Sequence, residues 1–360
     1  MRALALGCVA LGLALAGCAG KVLPGKGEAA GAVEKIDHRG WKDCYKLSNG
    51  TCEAVVAPAV GSRVVKFAYK GRNVLFEDKS LDGRVMTPQD HDDQSRYWMP
   101  WDGSQPDMFD AKGFRQFYPV WMGAYAVPKA EPPSITTESV PQQPQQGDAH
   151  CVKTFTLDKD KPRLTFGYKM LNKGKEPRTW TLLQRTMLST PGLLLVPLKK
   201  NSAFEGGWKI VEPEGGEVLP TAFGKRLFTR IKESIVVPVG DCIAIAPHML
   251  GAKSKVFVFE NMTVQTDSDA GWMAWITGDV AFVMQFPRSP DGKYMTPNAV
   301  TQNWFTTDRM ELCPFSPKTE VKPGEAVSFD TVWTFVQLPK PVNEPKEAEG
   351  LRAVIEKAIR

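Results

Sequence analysis

Residues 51–78 read TCEAVVAPAVGSRVVKFAYKGRNVLFED. Three short runs stand out in them: 53–56, 63–69 and 74–76. All are rich in valine and aromatic residues, which favour strands. Pro58, Gly61, Gly71 and Asn73 separate them, and glycine, proline and asparagine punctuate strands by supplying turns. Between Val64 and Tyr69 the side chains alternate. Val65, Phe67 and Tyr69 share one face, and Val64, Lys66 and Ala68 share the other. The stretch predicts a meander opening a large antiparallel sheet.

Working outward, Asn49-Gly50 predicts a tight hairpin over residues 44–56. A two-residue turn there sets Leu47 opposite Cys52 and Cys44 opposite Val55, a register that forbids a Cys44–Cys52 bridge. Further alternating runs are read at 152–157, 164–171 and 180–188, with a turn at Asn172-Lys173-Gly174. More follow at 256–260, 272–276, 280–286, 299–306 and 327–337, and Gly278-Asp279 reads as a tight turn between two of them. Residues 128–149, rich in Pro, Gln and Ser, read as a loop with no packed face. Gly206 to Lys209 reads as an exposed turn. Near the end, Leu351, Val354, Ile355, Ala358 and Ile359 fall on one stripe of a short helix, expected to pack on the sheet. The expected fold is all-β: a large antiparallel β-sandwich over residues 36–338, followed by a tail, 339–360, with that helix.

The chain has 360 residues and a formal net charge of +5, with 42% hydrophobic residues. That apolar content supports a sizeable core. The charge is mild and scattered, with no basic run interleaved with aromatics, so no nucleic-acid partner is expected. At the N-terminus, Arg2 precedes an apolar run that ends in Leu15-Ala16-Gly17-Cys18. A charged start, a short apolar core and small residues before the cut describe a secretory leader, 1–17, too short to span a bilayer. Leu-Ala-Gly-Cys matches the bacterial lipobox. The match implies that Cys18 is lipidated and that residues 18–35 tether the fold to a membrane. The protein is therefore expected in the bacterial cell envelope. Ala19 in the second mature position favours the outer membrane where there is one. Cys44, Cys52, Cys151, Cys242 and Cys313 remain. They are an odd set without zinc spacing, read as buried, unreactive thiols.

Residues 78–127 differ from the rest in being loaded with Trp, Asp and Arg. Trp98, Trp101, Asp102, Asp107, Arg115, Tyr118, Trp121 and Tyr125 all fall there. Sugar sites stack ring faces on aromatics and hold hydroxyls with carboxylates, amides and arginine. Large aromatics also fill β cores, and both readings stand for each Trp. Pro100 favours a loop around Trp98 and Trp101. Gln89-Asp90-His91-Asp92-Asp93 lacks the glycine and glutamate of a calcium loop and reads as a solvated acidic loop, so no metal is expected. Absence of a P-loop, a dinucleotide fingerprint and a Gly-x-Ser-x-Gly elbow argues against a bound cofactor and against serine hydrolysis.

Several of these features resemble galactose mutarotase-like proteins. Pro58, Gly61, Arg63, Gly71, Asn73 and Leu75 are similar to the family's opening. Met310-Glu311-Leu312, Lys322-Pro323-Gly324-Glu325 and a last strand with Trp333 are similar to its end. The likeness runs from about residue 50 to about residue 338. It implies a mutarotase-like supersandwich with a carbohydrate ligand in a cleft on one sheet, and Glu311 as the general base. Where sugar mutarotases carry an Asn-His pair ending in the general acid, counting from Asn172 gives Gln184-Arg185. The acid histidine is therefore missing at its place. His248 is the substitute we weigh first, with Tyr125 and Arg185 behind it. Arginine is a poor acid but a good holder of an acidic sugar. The candidate set is thus Glu311 and His248 for catalysis, and Arg63, Trp98, Trp101, Asp102, Trp121 and Arg185 for the substrate. Glu311 reads equally as one half of a buried, stabilising ion pair. A diverged epimerase, a glycan-binding lipoprotein and a structural envelope lipoprotein all fit the sequence, and none fixes an oligomeric state.

Overall fold

In a computed structural model of the chain, the residues described are 31–87, 102–110, 113–114, 118–140, 149–211, 235–249, 262–294, 298–306 and 308–360. Two antiparallel sheets pack face to face. Among the described residues the larger has thirteen strands. Its main path runs Ala32–His38, Trp41–Ser48, Cys52–Ala57, Arg63–Tyr69, Ser104–Asp110, Arg178–Ser189, Arg309–Leu312, Thr301–Phe305, Met262–Thr266 and Trp208–Val211. The smaller has nine strands, ordered Val236–Val239, Cys242–Ile245, Leu193–Pro197, Trp272–Gln285, Ala326–Val342, Arg163–Asn172, Ala149–Leu157, Ser134–Ser139 and Tyr125–Glu131. The chain is an antiparallel β-sandwich.

Alternation explains the core. Phe67, from the opening stretch, points between the sheets. Its ring meets Phe282 at 6.0 Å, Trp333 at 5.5 Å and Phe335 at 4.6 Å, all on the smaller sheet. Phe166 extends the cluster through Trp333 at 5.7 Å. Burying rings of this size, roughly 2–3 kcal/mol each by area removed from water, makes this the main adhesive between the layers. The helix Leu351–Ile359 buries Leu351, Ile355 and Ile359 against the outer face of the smaller sheet, beside Val336, Leu338 and Val342.

The structure departs from the sequence reading at several elements. In the hairpin, Ser48 pairs with Glu53 and Leu47 with Ala54, two residues away from the expected register. The reason is that Asn49 donates its backbone N–H to Cys52 O at 3.2 Å, and its side-chain oxygen accepts from Thr51 N and Cys52 N, which closes a longer turn. Both thiols are free and buried, as are Cys151, Cys242 and Cys313. Gly278-Asp279 is no turn. Trp272–Gln285 is one strand with a register shift between Gly278 and Val280, and Gly278 sits at φ +61°. Within 128–149 the chain forms a hairpin, Tyr125–Glu131 with Ser134–Ser139, that buries Ile135 completely. Glu205–Gly207 forms a short 3-10 turn with Gly207 buried, leading directly into the Trp208–Val211 strand. The sandwich also begins earlier and ends later than residues 36–338. Its first strand takes in Ala32 and Val33, and its last runs to Val342. The expected strand at 256–260 lies outside the described residues.

Candidate functional site

The Ser104–Asp110, Arg178–Ser189 and Arg309–Leu312 strands are neighbours in the larger sheet. Met108, Leu182, Leu188, Met310 and Leu312 face the core between the sheets. Period-two alternation therefore sends Asp107, Arg185 and Glu311 to the outer face. Glu311 lies opposite Met187 and Trp304, and Asp107 lies opposite Leu183. Arg185, between Leu183 and Met187 on the same face, thus sits diagonally from both acids, within reach of a long side chain.

It reaches both. Arg185 Nη1 donates to Glu311 Oε2 at 2.7 Å, and Nη2 donates to Asp107 Oδ2 at 3.3 Å. Arg309 Nε donates to the other Glu311 oxygen at 3.2 Å. The Arg185 guanidinium lies 5.0 Å from the centre of the Trp304 ring, a cation–π distance. Asp107, Arg185 and Glu311 are all buried, while Trp304, Gln302 and Arg309 are half-buried and form the rim. Burial raises the Asp107 pKa to about 6, against the pull of Arg185. Burial by itself would lower the Arg185 pKa, but Glu311, Cys313 and Asp107 outweigh it and hold it above the usual value.

Arg63 lies on the same sheet but is spent on the scaffold. It is buried, with burial lowering its pKa to about 10, and it donates to Val60 O at 3.1 Å, Asp102 O at 3.3 Å and Gln105 Oε1 at 2.5 Å. Asp102 is buried too. It pairs with Arg39 at 2.8 Å and accepts from Asp78 N at 3.1 Å. Trp121 is wholly enclosed, packing against Met86 and Met122. His248 stands elsewhere. Its Nδ1 is 3.2 Å from Gly192 O, and it lines a hollow that includes none of Asp107, Arg185 and Glu311. Trp98, Trp101 and Cys18 lie outside the described residues. The structure therefore brings Arg185 to Glu311 and places His248, Arg63, Asp102 and Trp121 outside that cluster.

Two members of the cluster carry little that sets them apart in the sequence. Asp107 was only one acid within an aromatic-rich segment. Trp304 stood in a strand whose alternation, Gln302 and Trp304 against Asn303 and Phe305, would have placed it on the outer face. Among the described residues no group of three or more His, Cys, Asp or Glu side chains could hold a metal ion.

The architecture is shared with solved structures. A protein named as a candidate aldose 1-epimerase from Escherichia coli K12 superposes with a TM-score of 0.52 at 13% identity, over 82% of this chain and 99% of that one. A galactose mutarotase-like protein from Lactobacillus casei ATCC 334 superposes with a TM-score of 0.53 at 10% identity, over 81% of this chain and 100% of that one. The fold is that of the galactose mutarotase-like proteins. No family model matches the sequence, and no curated protein matches it. At such low identities the likeness fixes the backbone, and the chemistry must be argued from the side chains.

Proposed function

We propose that the protein binds carbohydrate on the outer face of the thirteen-stranded sheet, at the rim formed by Trp304, Gln302 and Arg309, and does not anomerise it. One observation carries this reading: the Glu311 carboxylate is held at both oxygens by guanidinium groups, Arg185 at 2.7 Å and Arg309 at 3.2 Å. Anomerisation needs a base free to take the O1 proton and an acid to protonate the ring oxygen. Here the base is occupied, and the residue at the place implied for the acid is an arginine, which does not give up its proton. The rim around it suits recognition. An indole face can stack on a sugar ring, and an amide and a guanidinium can bind its hydroxyls.

Calorimetric titration with neutral hexoses and hexuronates tests the proposal. At least one sugar should bind, and Trp304→Ala should weaken it about tenfold, the loss of one stacking contact. Failure of every sugar to bind would refute it.

A second reading has its own support. A carboxyl group whose pKa is raised to about 6 beside an ionised partner is how enzymes divide acid from base work, and Asp107 is such a group. On this reading the protein is a slow epimerase with Asp107 as acid, and Asp107→Asn would abolish a measurable anomerisation.

The address is proposed from the lipobox. Cys18 carries lipid and holds the sandwich at the envelope, the outer membrane where one exists. Cys18→Ala should move the protein from the membrane fraction to the soluble one. Continued membrane association would overturn the anchor.

A further inference from the structure

At one edge of the sandwich, residues of both sheets enclose a hollow of about 360 Å³. This is within the range of small-molecule sites, at its lower end. We infer that it binds a small organic anion, a carboxylate carried on a flat apolar body. The inference is independent of the sugar site.

One side of the hollow is apolar. Tyr69 and Phe335 stack at 5.2 Å between centroids and, with Ile276 and Val280, offer a flat wall. Pro191 and Gly192 also line the hollow. A Cβ on Gly192 would stand 2.3 Å from the Trp275 ring. The backbone there lies directly on the indole, and glycine is what allows it.

Two charged or chargeable side chains of the lining, Arg72 and His248, set the class of ligand. The Asn73 side chain is spent: its oxygen accepts from Phe67 N and Leu75 N, and its nitrogen donates to Leu75 O and Glu77. Ser189 donates to Leu75 O. His248 is oriented rather than spent. The carbonyl of Gly192 can only accept, so Nδ1 carries a hydrogen, and Nε2 donates to an anion when the ring is the imidazolium, in which both nitrogens carry one. Arg72 is solvent-exposed, and its carboxylate neighbour Asp279 is 3.9 Å away, a long and exposed pair of little strength. Among the described residues lining the hollow there is a guanidinium and an imidazole and no carboxylate. An anion is the charge this lining favours, and a planar apolar group is the shape its wall favours.

Benzoate and its neutral counterpart benzamide are the probes. In the unmodified protein, millimolar benzoate should shift the His248 ring resonances and leave those of His38 and His150 in place, and benzamide should bind more weakly. Arg72→Gln and His248→Gln should each weaken benzoate about tenfold, the usual cost of one charge-assisted hydrogen bond. The inference fails if benzoate leaves His248 unmoved, if benzamide binds as well as benzoate, or if both variants bind benzoate unchanged. The comparison of the two probes on the unmodified protein stands even if a variant does not fold.

Discussion

Arg185 and Lys153 are both cations withdrawn from water, and the fold treats them in opposite ways. Arg185 has a carboxylate on each side, Glu311 and Asp107, and a tryptophan against its flat face. Its charge is matched, and its pKa rises. Lys153 lies between the layers, and among the described residues no carboxylate pairs with it. Its ammonium donates to the carbonyls of Gly61 and Val120 and lies 4.4 Å from the Tyr125 ring. Burial drives its pKa down to about 7. On the function proposed above, the matched charge backs a recognition surface, whereas the charge held by two carbonyls and a ring ties segments together. Lys153 ties the turn before the Arg63–Tyr69 strand to the short helix Tyr118–Trp121.

The largest way to break this contrast is Arg185→Met. It strands two buried carboxylates, which should cost about 3–5 kcal/mol in chemical denaturation at neutral pH. A loss below about 1 kcal/mol would mean the cluster is hydrated and the charges are not matched as described.

Next comes Gly61→Ala. Gly61 sits at φ +75°, and a Cβ there would fall 2.0 Å from Trp121 O. Backbone strain and the clash together should cost about 3 kcal/mol, on the same denaturation axis.

Lys153→Met sharpens the other half. A cation whose folded pKa is lowered from 10.5 to about 7 contributes stability that is present above pH 10.5 and lost as pH falls through about 7. The unmodified protein should therefore lose stability across that window, and Lys153→Met should lose less. At pH 10 the variant should be less stable by about 1–2 kcal/mol, since two carbonyls lose their donor. At pH 6 the order should invert. Parallel pH profiles would contradict the buried-cation account.

The smallest expected effect is Asp107→Asn. The acid's folded pKa is raised to about 6 from 3.8, so its contribution is present below pH 3.8 and lost as pH rises through about 6. The variant should flatten the stability profile between pH 4 and pH 6, with a change at pH 7 of about 1 kcal/mol.

The strands were legible where alternation was clean. Arg63–Tyr69 was placed to the residue because Val65, Phe67 and Tyr69 repeat with period two. The Ser134–Ser139 strand was hidden because its own alternation, with Ile135 buried, is short and flanked by prolines that read as loop. Gly278-Asp279 reads as a turn in sequence because a glycine at positive φ serves a bulge as readily as a hairpin. The site was half legible. Arg185 and Glu311 could be named because the resemblance attached each to a position. Asp107 and Trp304 could not be tied to them without strand register, since one residue of slip exchanges the outer face for the core. Arg63 and Asp102 looked like ligand groups because the sequence does not show that backbone carbonyls and Arg39 consume them.

The central claim is that guanidinium groups occupy the base and leave recognition without anomerisation. Exchange between the α and β anomers of a sugar that binds, followed by magnetisation-transfer NMR, tests it most directly. The protein should saturate the sugar signals, and the exchange rate should equal that in buffer. Acceleration by the unmodified protein that disappears in Glu311→Gln would contradict it.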